Sequence, residues 1–276
     1  MTLKTQVQLI PTTYDNPAWP LVDGVVGSAL PGGAEAEASG HFVFGGDAAS
    51  LVSLTSPSVA LTPASPTSGP PAFDTVAPGS MTISSAGRHG LYTPFRDAAY
   101  GEGTVALCLR HEDLAGSKIA WGTATTVNGD GGQMGFLANS AEAGNATAFL
   151  SRGSAAQLRS EAAGFTTGLA EGDPYIQMWS WDNAHGIAMY CPGSKKRGGP
   201  NDYLADSAPR TYLPSTDNKL IALGNIYYQQ SSWQGGVTLF EAVFFPWRMT
   251  LAEMIALKGR IVGRQADRPT PVTVKA

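Results

Sequence analysis

Residues 219–258 read KLIALGNIYYQQSSWQGGVTLFEAVFFPWRMTLAEMIALK. Leu220, Ala222 and Gly224 alternate with Ile221 and Leu223, the two-residue period of a strand. A polar, aromatic loop follows, and Gly235 and Gly236 then admit a second apolar run, Val237 to Trp247. Only Thr238, Glu241 and Pro246 interrupt that run. Thr250 and Glu253 have the spacing of a capping box, in which each side chain satisfies the other's free backbone donor. Leu251, Met254, Ile255 and Leu257 supply the apolar stripe of the helix that the box would open. The order is strand, aromatic loop, long strand, capped helix.

Upstream the chain has the same character. Of 276 residues, 14% are charged, against roughly 25% in ordinary soluble proteins. Gly (33) and Pro (19) together punctuate the chain densely, so turns are many and helices few. Strand patterns start at His41 with HFVFGG and Ser50–Ser56, and a Pro/Ser/Thr-rich loop follows from Thr62 to Pro71. Further strands are expected at Ser80–Ser84, Gly90–Tyr92, Thr104–Arg110, Lys118–Gly122, Gly132–Leu137, Ala146–Ser151 and Ala156–Ser160. Short strands at intervals of about a dozen residues, separated by Gly/Asn/Asp turns, point to an all-β sandwich. A chain of this length can bury a substantial core within one such domain.

Charge and composition exclude several classes. A net charge of −4 and a pI near 5.5 leave no basic patch for phosphate, so no nucleic-acid partner is expected. The one basic cluster, Lys195-Lys196-Arg197, reads as a solvated Gly/Pro loop. No run approaches the ~20 apolar residues of a membrane helix, and no signal peptide is expected after Met1. Cys108 and Cys191 fall in or at the end of predicted strands and read as small buried hydrophobes, with a mutual disulfide the other reading. No Cys/His metal spacing occurs.

The order of elements in 219–258 resembles the end of a laminin-G-like or pentraxin-like domain, within the concanavalin A-like jelly rolls. Leu223-Gly224, Gly235, Glu241 and Thr250-Leu251-Ala252-Glu253-Met254 occupy the family's places, with Met249 where leucine is usual. A second piece, Tyr175 to Gly193 (YIQMWSWDNAHGIAMYCPG), is similar to the family's hairpin through Trp181-Asp182 and Tyr190–Gly193. The two pieces cover less than half the chain. The resemblance implies an antiparallel jelly-roll β-sandwich (concanavalin A-like) at residues 38–263. An extended N-terminal arm (1–37), one short C-terminal helix and a C-terminal tail (264–276) complete that expectation. It also implies a lectin-like activity. Because such domains often hold calcium at a loop edge, it makes Asn128 and Asp130 the candidate ligands, against a plain hairpin turn; no other cofactor is expected.

Candidate binding residues lie in the aromatic loop. Asn225, Tyr227, Tyr228, Gln230 and Trp233 combine amides with flat aromatic faces, which suit sugar stacking and hydroxyl recognition. The same residues suit a subunit interface, or a loop anchor tucked under the sandwich. Trp179 and Trp181 share a strand face with Tyr175 and Gln177, and packing is the favoured reading over a binding platform. For catalysis, Glu35-Ala36-Glu37 is the single alternating acidic pair and lies in the arm, while Glu241 stands alone. There is no Gly-x-Ser-x-Gly elbow, and His41, His89, His111 and His185 form no pattern, so no catalytic residues are expected.

In the arm, Trp19, Leu21 and Val22 are apolar without a periodic element to bury them, and they are expected to pack on the same domain or on a neighbour. The resulting expectation is a non-enzymatic virion protein of a bacteriophage tail tip, fibre or capsid surface, recognising host-surface glycan. Its partners would be other virion proteins or itself, as a homo-oligomer such as a trimer, without membrane insertion. A purely structural decoration protein and a glycan-cleaving enzyme are the alternatives.

Overall fold

The computed structural model describes residues 33–64, 72–74, 80–84, 90–111, 118–123, 136–141, 145–150, 163–166, 172–192, 195–196, 202–205, 217–227, 236–268 and 270–275. Its strands begin with β1 (Gly40–Val43), β2 (Thr62–Ala64), β3 (Ala72–Asp74), β4 (Ser80–Ser84) and β5 (Gly90–Arg96). Next come β6 (Gly103–His111), β7 (Lys118–Gly122), β8 (Phe136–Ala141), β9 (Asn145–Leu150), β10 (Ala163–Thr166) and β11 (Tyr175–Asp182). The chain continues through β12 (Gly186–Tyr190), β13 (Lys195–Lys196), β14 (Tyr203–Ala205), β15 (Leu220–Gly224) and β16 (Gly236–Phe245), and closes with helix α1 (Leu251–Ala266).

Two antiparallel sheets result. The first runs β14-β12-β11-β6-β16-β4-β3, with β1 and β4 end to end along the same edge of β16. The second runs β13-β10-β9-β8-β7-β15-β5-β2. The fold is therefore the all-β sandwich with a single C-terminal helix that the sequence predicts.

Both faces of the first sheet are buried at its central strands β6, β11 and β16. On its inner face Val105, Leu107 and Leu109 of β6 and Tyr175, Trp179 and Trp181 of β11 meet Leu91, Trp121, Ile221 and Leu223 of the second sheet. Trp121 stacks on Trp181 with ring centroids 5.7 Å apart and an interplanar angle of 22°. The tryptophan pair is thus intersheet packing, and the Trp181 indole N–H donates to the Tyr100 carbonyl at 3.0 Å. On the outer face Ala106, Cys108, Ile176, Met178 and Val243 pack under Met254, Leu257 and Ile261 of α1. Cys108 and Cys191 belong to opposite faces of this sheet and are free thiols, which removes the disulfide reading.

A β-bulge in β16 adapts the strand to the helix. The register against β6 shifts between Leu239 and Glu241. Phe240 and Glu241 therefore both face the helix side, whereas Leu239 and Ala242 face the intersheet core. Glu241 is fully buried in an ionic cluster under α1. It accepts from Arg264 Nη2 at 2.6 Å, Gln265 Nε2 at 2.8 Å and His41 Nε2 at 2.9 Å. Arg264 Nη1 also donates to Glu35 Oε1 at 2.9 Å, and Arg260 Nε donates to Glu35 Oε2 at 2.7 Å. Burial alone would raise the Glu241 carboxyl; Arg264 foremost, then His41, overcome that and bring it down to about 2. The chain entering α1 is clamped as well, since Thr104 Oγ1 donates to the Trp247 carbonyl and accepts from Met249 N–H.

Several expectations change. Gly33–Glu37, placed in the extended arm, is a 3-10 helix whose Glu35 is the buried partner of two arginines. The expected boundary at residue 264 falls inside α1, because Arg264 and Gln265 must reach Glu241. Beyond the helix, Val272 N–H bonds the Gln265 carbonyl and Lys275 N–H bonds the Pro174 carbonyl, so this end packs back on the domain. In place of a strand over Ser50–Ser56 there is a 3-10 helix, Ala48–Leu51, capped by the Asp47 carboxylate on Ala49 N–H at 2.8 Å. Part of the expected Thr62–Pro71 loop is strand β2. The capping box at Thr250 and Glu253 is present with both of its hydrogen bonds.

Candidate functional site

The second sheet offers an outer face that α1 does not cover. Ile221 and Leu223 of β15 point into the core, so Leu220 and Ala222 turn outward. The cross-strand register sets Gly122, Ala222, Tyr92 and Thr62 in one row across β7, β15, β5 and β2. Tyr92 is thus the large side chain in a row of small ones. Adjacent rows pair Leu220 with Arg96, and Gly224 with Gly90 and Ala64.

The turn after β15 brings a second ring to this face. Gly224 has φ of 81°, a left-handed conformation that a side chain would strain, and it reverses the chain. Ile226 then folds down on Gly90 so closely that a Cβ on that glycine would stand 2.5 Å from Ile226 Cγ1 and from the Leu223 carbonyl oxygen. Tyr227 reaches back along the strand, and its hydroxyl donates to the Leu220 carbonyl at 2.9 Å. The Tyr92 and Tyr227 rings lie 5.9 Å apart, inclined at 51°. Burial foremost, with Tyr92 and Asp217 adding to it, pushes the Tyr227 hydroxyl above the ordinary tyrosine value, so it stays a protonated donor.

Polar groups border the rings. Lys219 Nζ lies 5.8 Å from the centre of the Tyr227 ring and pairs with the Asp217 carboxylate. Asn218 adopts φ of 48°; its side-chain oxygen accepts from Ala98 N–H at 3.2 Å and its carbonyl accepts from Arg96 Nη1 at 2.8 Å. Asp97 is buried beside them and accepts from Thr123 Oγ1 at 3.1 Å. Two inclined aromatic rings on a floor of small residues, edged by guanidinium, ammonium, carboxylate and amide groups, can stack an apolar ring face and hydrogen-bond its hydroxyls.

Of the residues singled out in the sequence, Tyr227 takes part in this surface. Asn225 does not: it is 2% exposed and buried within the turn. Tyr228, Gln230 and Trp233 lie outside the described residues, as do Asn128 and Asp130 and the arm residues Trp19, Leu21 and Val22. Tyr92, Arg96 and Lys219 were not singled out; they come together through strand register, which the sequence pattern of β5 alone does not reveal.

A second polar corner lies at the β11–β12 turn. There His185 Nδ1 meets Asp182 Oδ2 at 2.8 Å, with Arg248 Nε at 3.9 Å from the same oxygen. Burial raises the Asp182 carboxyl, but the His185 hydrogen bonds outweigh it and leave the group below its ordinary value. Among the described residues no group of three or more His, Cys, Asp or Glu is placed to hold a metal.

No family model matches the sequence, and no curated protein sequence matches it. Solved structures do. The receptor-binding domain of botulinum neurotoxin D matches 83% of this chain and 54% of its own length at 10% identity, with a TM-score of 0.55. That of the botulinum neurotoxin C/D mosaic serotype covers 83% of this chain and 52% of its own at 11% identity, with a TM-score of 0.54. Trypanosoma rangeli sialidase covers 83% of this chain and 33% of its own at 12% identity, with a TM-score of 0.51. The chain thus spans about half the length of the toxin domains and a third of the sialidase. These are likenesses of fold, and they join the chain to β-sandwich domains.

Proposed function

We propose that this β-sandwich is a lectin-like recognition module that binds glycan without cleaving it, and that the outer face at Tyr92 and Tyr227 is its sugar-contacting surface. The observation that carries the reading is the inclined, half-buried tyrosine pair on the sheet face that α1 does not cover, bordered by Arg96, Lys219 and Asn218. Structures of the same fold support it. One is a botulinum neurotoxin DC binding domain in complex with SialylT, and another is of type C, whose cell entry depends on two ganglioside molecules.

Two acidic residues considered for catalysis, Glu35 and Glu241, are buried against arginines. In its finer form the reading places the module on a virion, at a phage tail tip, fibre or capsid surface, with host-surface glycan as partner. The low charge and the Pro- and Gly-punctuated ends of the sequence support that placement. Self-association through Trp19, Leu21 and Val22 belongs to the same proposal, and light scattering on a chain lacking residues 1–32 tests it.

A glycan array tests recognition directly. The wild-type chain is expected to bind a defined set of surface glycans, and Tyr227→Ala and Tyr92→Ala each to weaken binding about tenfold, the loss of one aromatic contact. Wild-type binding left unchanged by both substitutions would move the site elsewhere. Release of reducing ends from the bound glycans would contradict the non-catalytic reading.

A further inference from the structure

This inference rests on the reading of the Tyr92–Tyr227 face as the sugar-contacting surface, and it names the sugar's chemistry. We infer that the face takes an acidic saccharide, and that Arg96 holds its carboxylate.

Arg96 differs from Arg248, Arg260, Arg264 and Arg268. Arg260 and Arg264 are ion-paired to Glu35 and Glu241, Arg248 faces Asp182, and Arg268 donates to the Phe44 and Phe240 carbonyls. Arg96 is exposed, and among the described residues no carboxylate lies within ion-pair distance of it. Among the described residues its hydrogen bond runs from Nη1 to the Asn218 carbonyl at 2.8 Å. That bond ties the guanidinium to the chain beside the sheet, and among the described residues no acceptor meets the Nε–Nη2 edge. Two parallel N–H groups on that edge match the two oxygens of a carboxylate, and a guanidinium is more weakly hydrated than an ammonium.

Position links this arginine to the rings. Arg96 is the cross-strand partner of Leu220, and the Leu220 carbonyl is the acceptor for the Tyr227 hydroxyl. Tyr92 lies on the same face of β5, opposite Ala222. The neighbouring cation is already engaged, since Lys219 pairs with Asp217. A sugar stacked on the tyrosines would present a ring substituent to Arg96, the cation of the cluster that has no carboxylate partner among the described residues, with its geometry set beforehand.

The experiment compares wild type, Arg96→Gln, Arg96→Lys and Tyr227→Ala by calorimetric titration. The probes are sialyllactose and a glucuronate-bearing disaccharide, each against its carboxyl-reduced form, with sulfated lactose as a separate arm. Wild type is expected to bind at least one carboxylated probe about tenfold more tightly than its reduced form, and more tightly than the sulfated sugar. Arg96→Gln should abolish that preference, so that the acidic probe and its reduced form bind alike. Arg96→Lys should restore less than half of the preference on a logarithmic scale, because the fork is lost and the charge kept. Thermal melts of the variants confirm that they are folded.

Equal binding of acidic and reduced sugars by wild type overturns the inference and leaves the glycan reading standing. A preference for the sulfated sugar also overturns it, since the fork would then serve another anion. A preference that survives Arg96→Gln overturns the role of Arg96. Affinity for acidic sugars that Tyr227→Ala leaves unchanged, or no binding to any probe, overturns the reading of the face itself.

Discussion

Replacing Arg264 by Met asks how much the buried ionic cluster contributes. Arg264 makes three charge-assisted contacts, to Glu35 at 2.9 Å and to Glu241 at 3.0 and 2.6 Å. All three side chains are at most 3% exposed. Methionine fills much of the volume but leaves two buried carboxylates short of a partner. Breaking a buried pair from one side costs about 3–5 kcal/mol. Arg260 still holds Glu35, and His41 and Gln265 still hold Glu241, which favours the lower end.

For a domain of this size about 3 kcal/mol corresponds to a fall in Tm of roughly 6–12 °C. The assay is urea unfolding with a parallel thermal scan, including the Arg264→Met/Glu241→Met double variant, which should recover part of the loss. pH supplies an independent check. The folded Glu241 carboxyl stands at about 2 against an ordinary 4.5, so its stabilisation is complete above the ordinary value and disappears as the pH falls toward 2. The gap between wild type and Arg264→Met should therefore narrow as the pH is lowered from 6 toward 2.5. A variant within about 1 kcal/mol of wild type, or a gap that ignores pH, would refute this account of the cluster.

Three further substitutions probe other joints of the fold. Gly90→Ala sets a Cβ 2.5 Å from the Leu223 carbonyl oxygen and Ile226, so the turn carrying Tyr227 must shift; a loss of about 1–3 kcal/mol in urea unfolding, together with glycan binding, is expected. Glu253→Ala removes one side of the Thr250 capping box and should cost about 0.5–2 kcal/mol without altering binding, a melt unchanged within error being the contrary result. Trp181→Phe forfeits the Trp121 stack and the hydrogen bond to Tyr100, and should lower stability by about 2 kcal/mol or more with near-ultraviolet circular dichroism weakened.

Much of the architecture is written in local pattern. β15, β16 and α1 follow from alternation, an apolar run and a capping box, all of which act within a few residues. The 3-10 helix at Ala48–Leu51 escapes that reading because one side-chain cap at Asp47 outweighs a strand-like composition. The partnership of Glu35 with Arg264 was equally out of reach, since 229 residues separate them and only the helix docking brings them together. The same holds at the site. Tyr227 stands out in its aromatic loop, but Tyr92 and Arg96 acquire meaning only when β5 pairs with β15 across a bulge, and register of that kind is set by tertiary contacts. Asn225 reads as a sugar-binding amide and is instead consumed inside the turn.

The central claim is that the Tyr92–Tyr227 face receives sugar. The most direct test is a crystal structure of the chain with the tightest glycan found on the array. The account predicts a sugar ring stacked on Tyr227 or Tyr92 at about van der Waals distance, with a polar substituent at the Arg96 guanidinium. A glycan seated instead at the Asp182–His185 corner, or on the helix side of the first sheet, would contradict it.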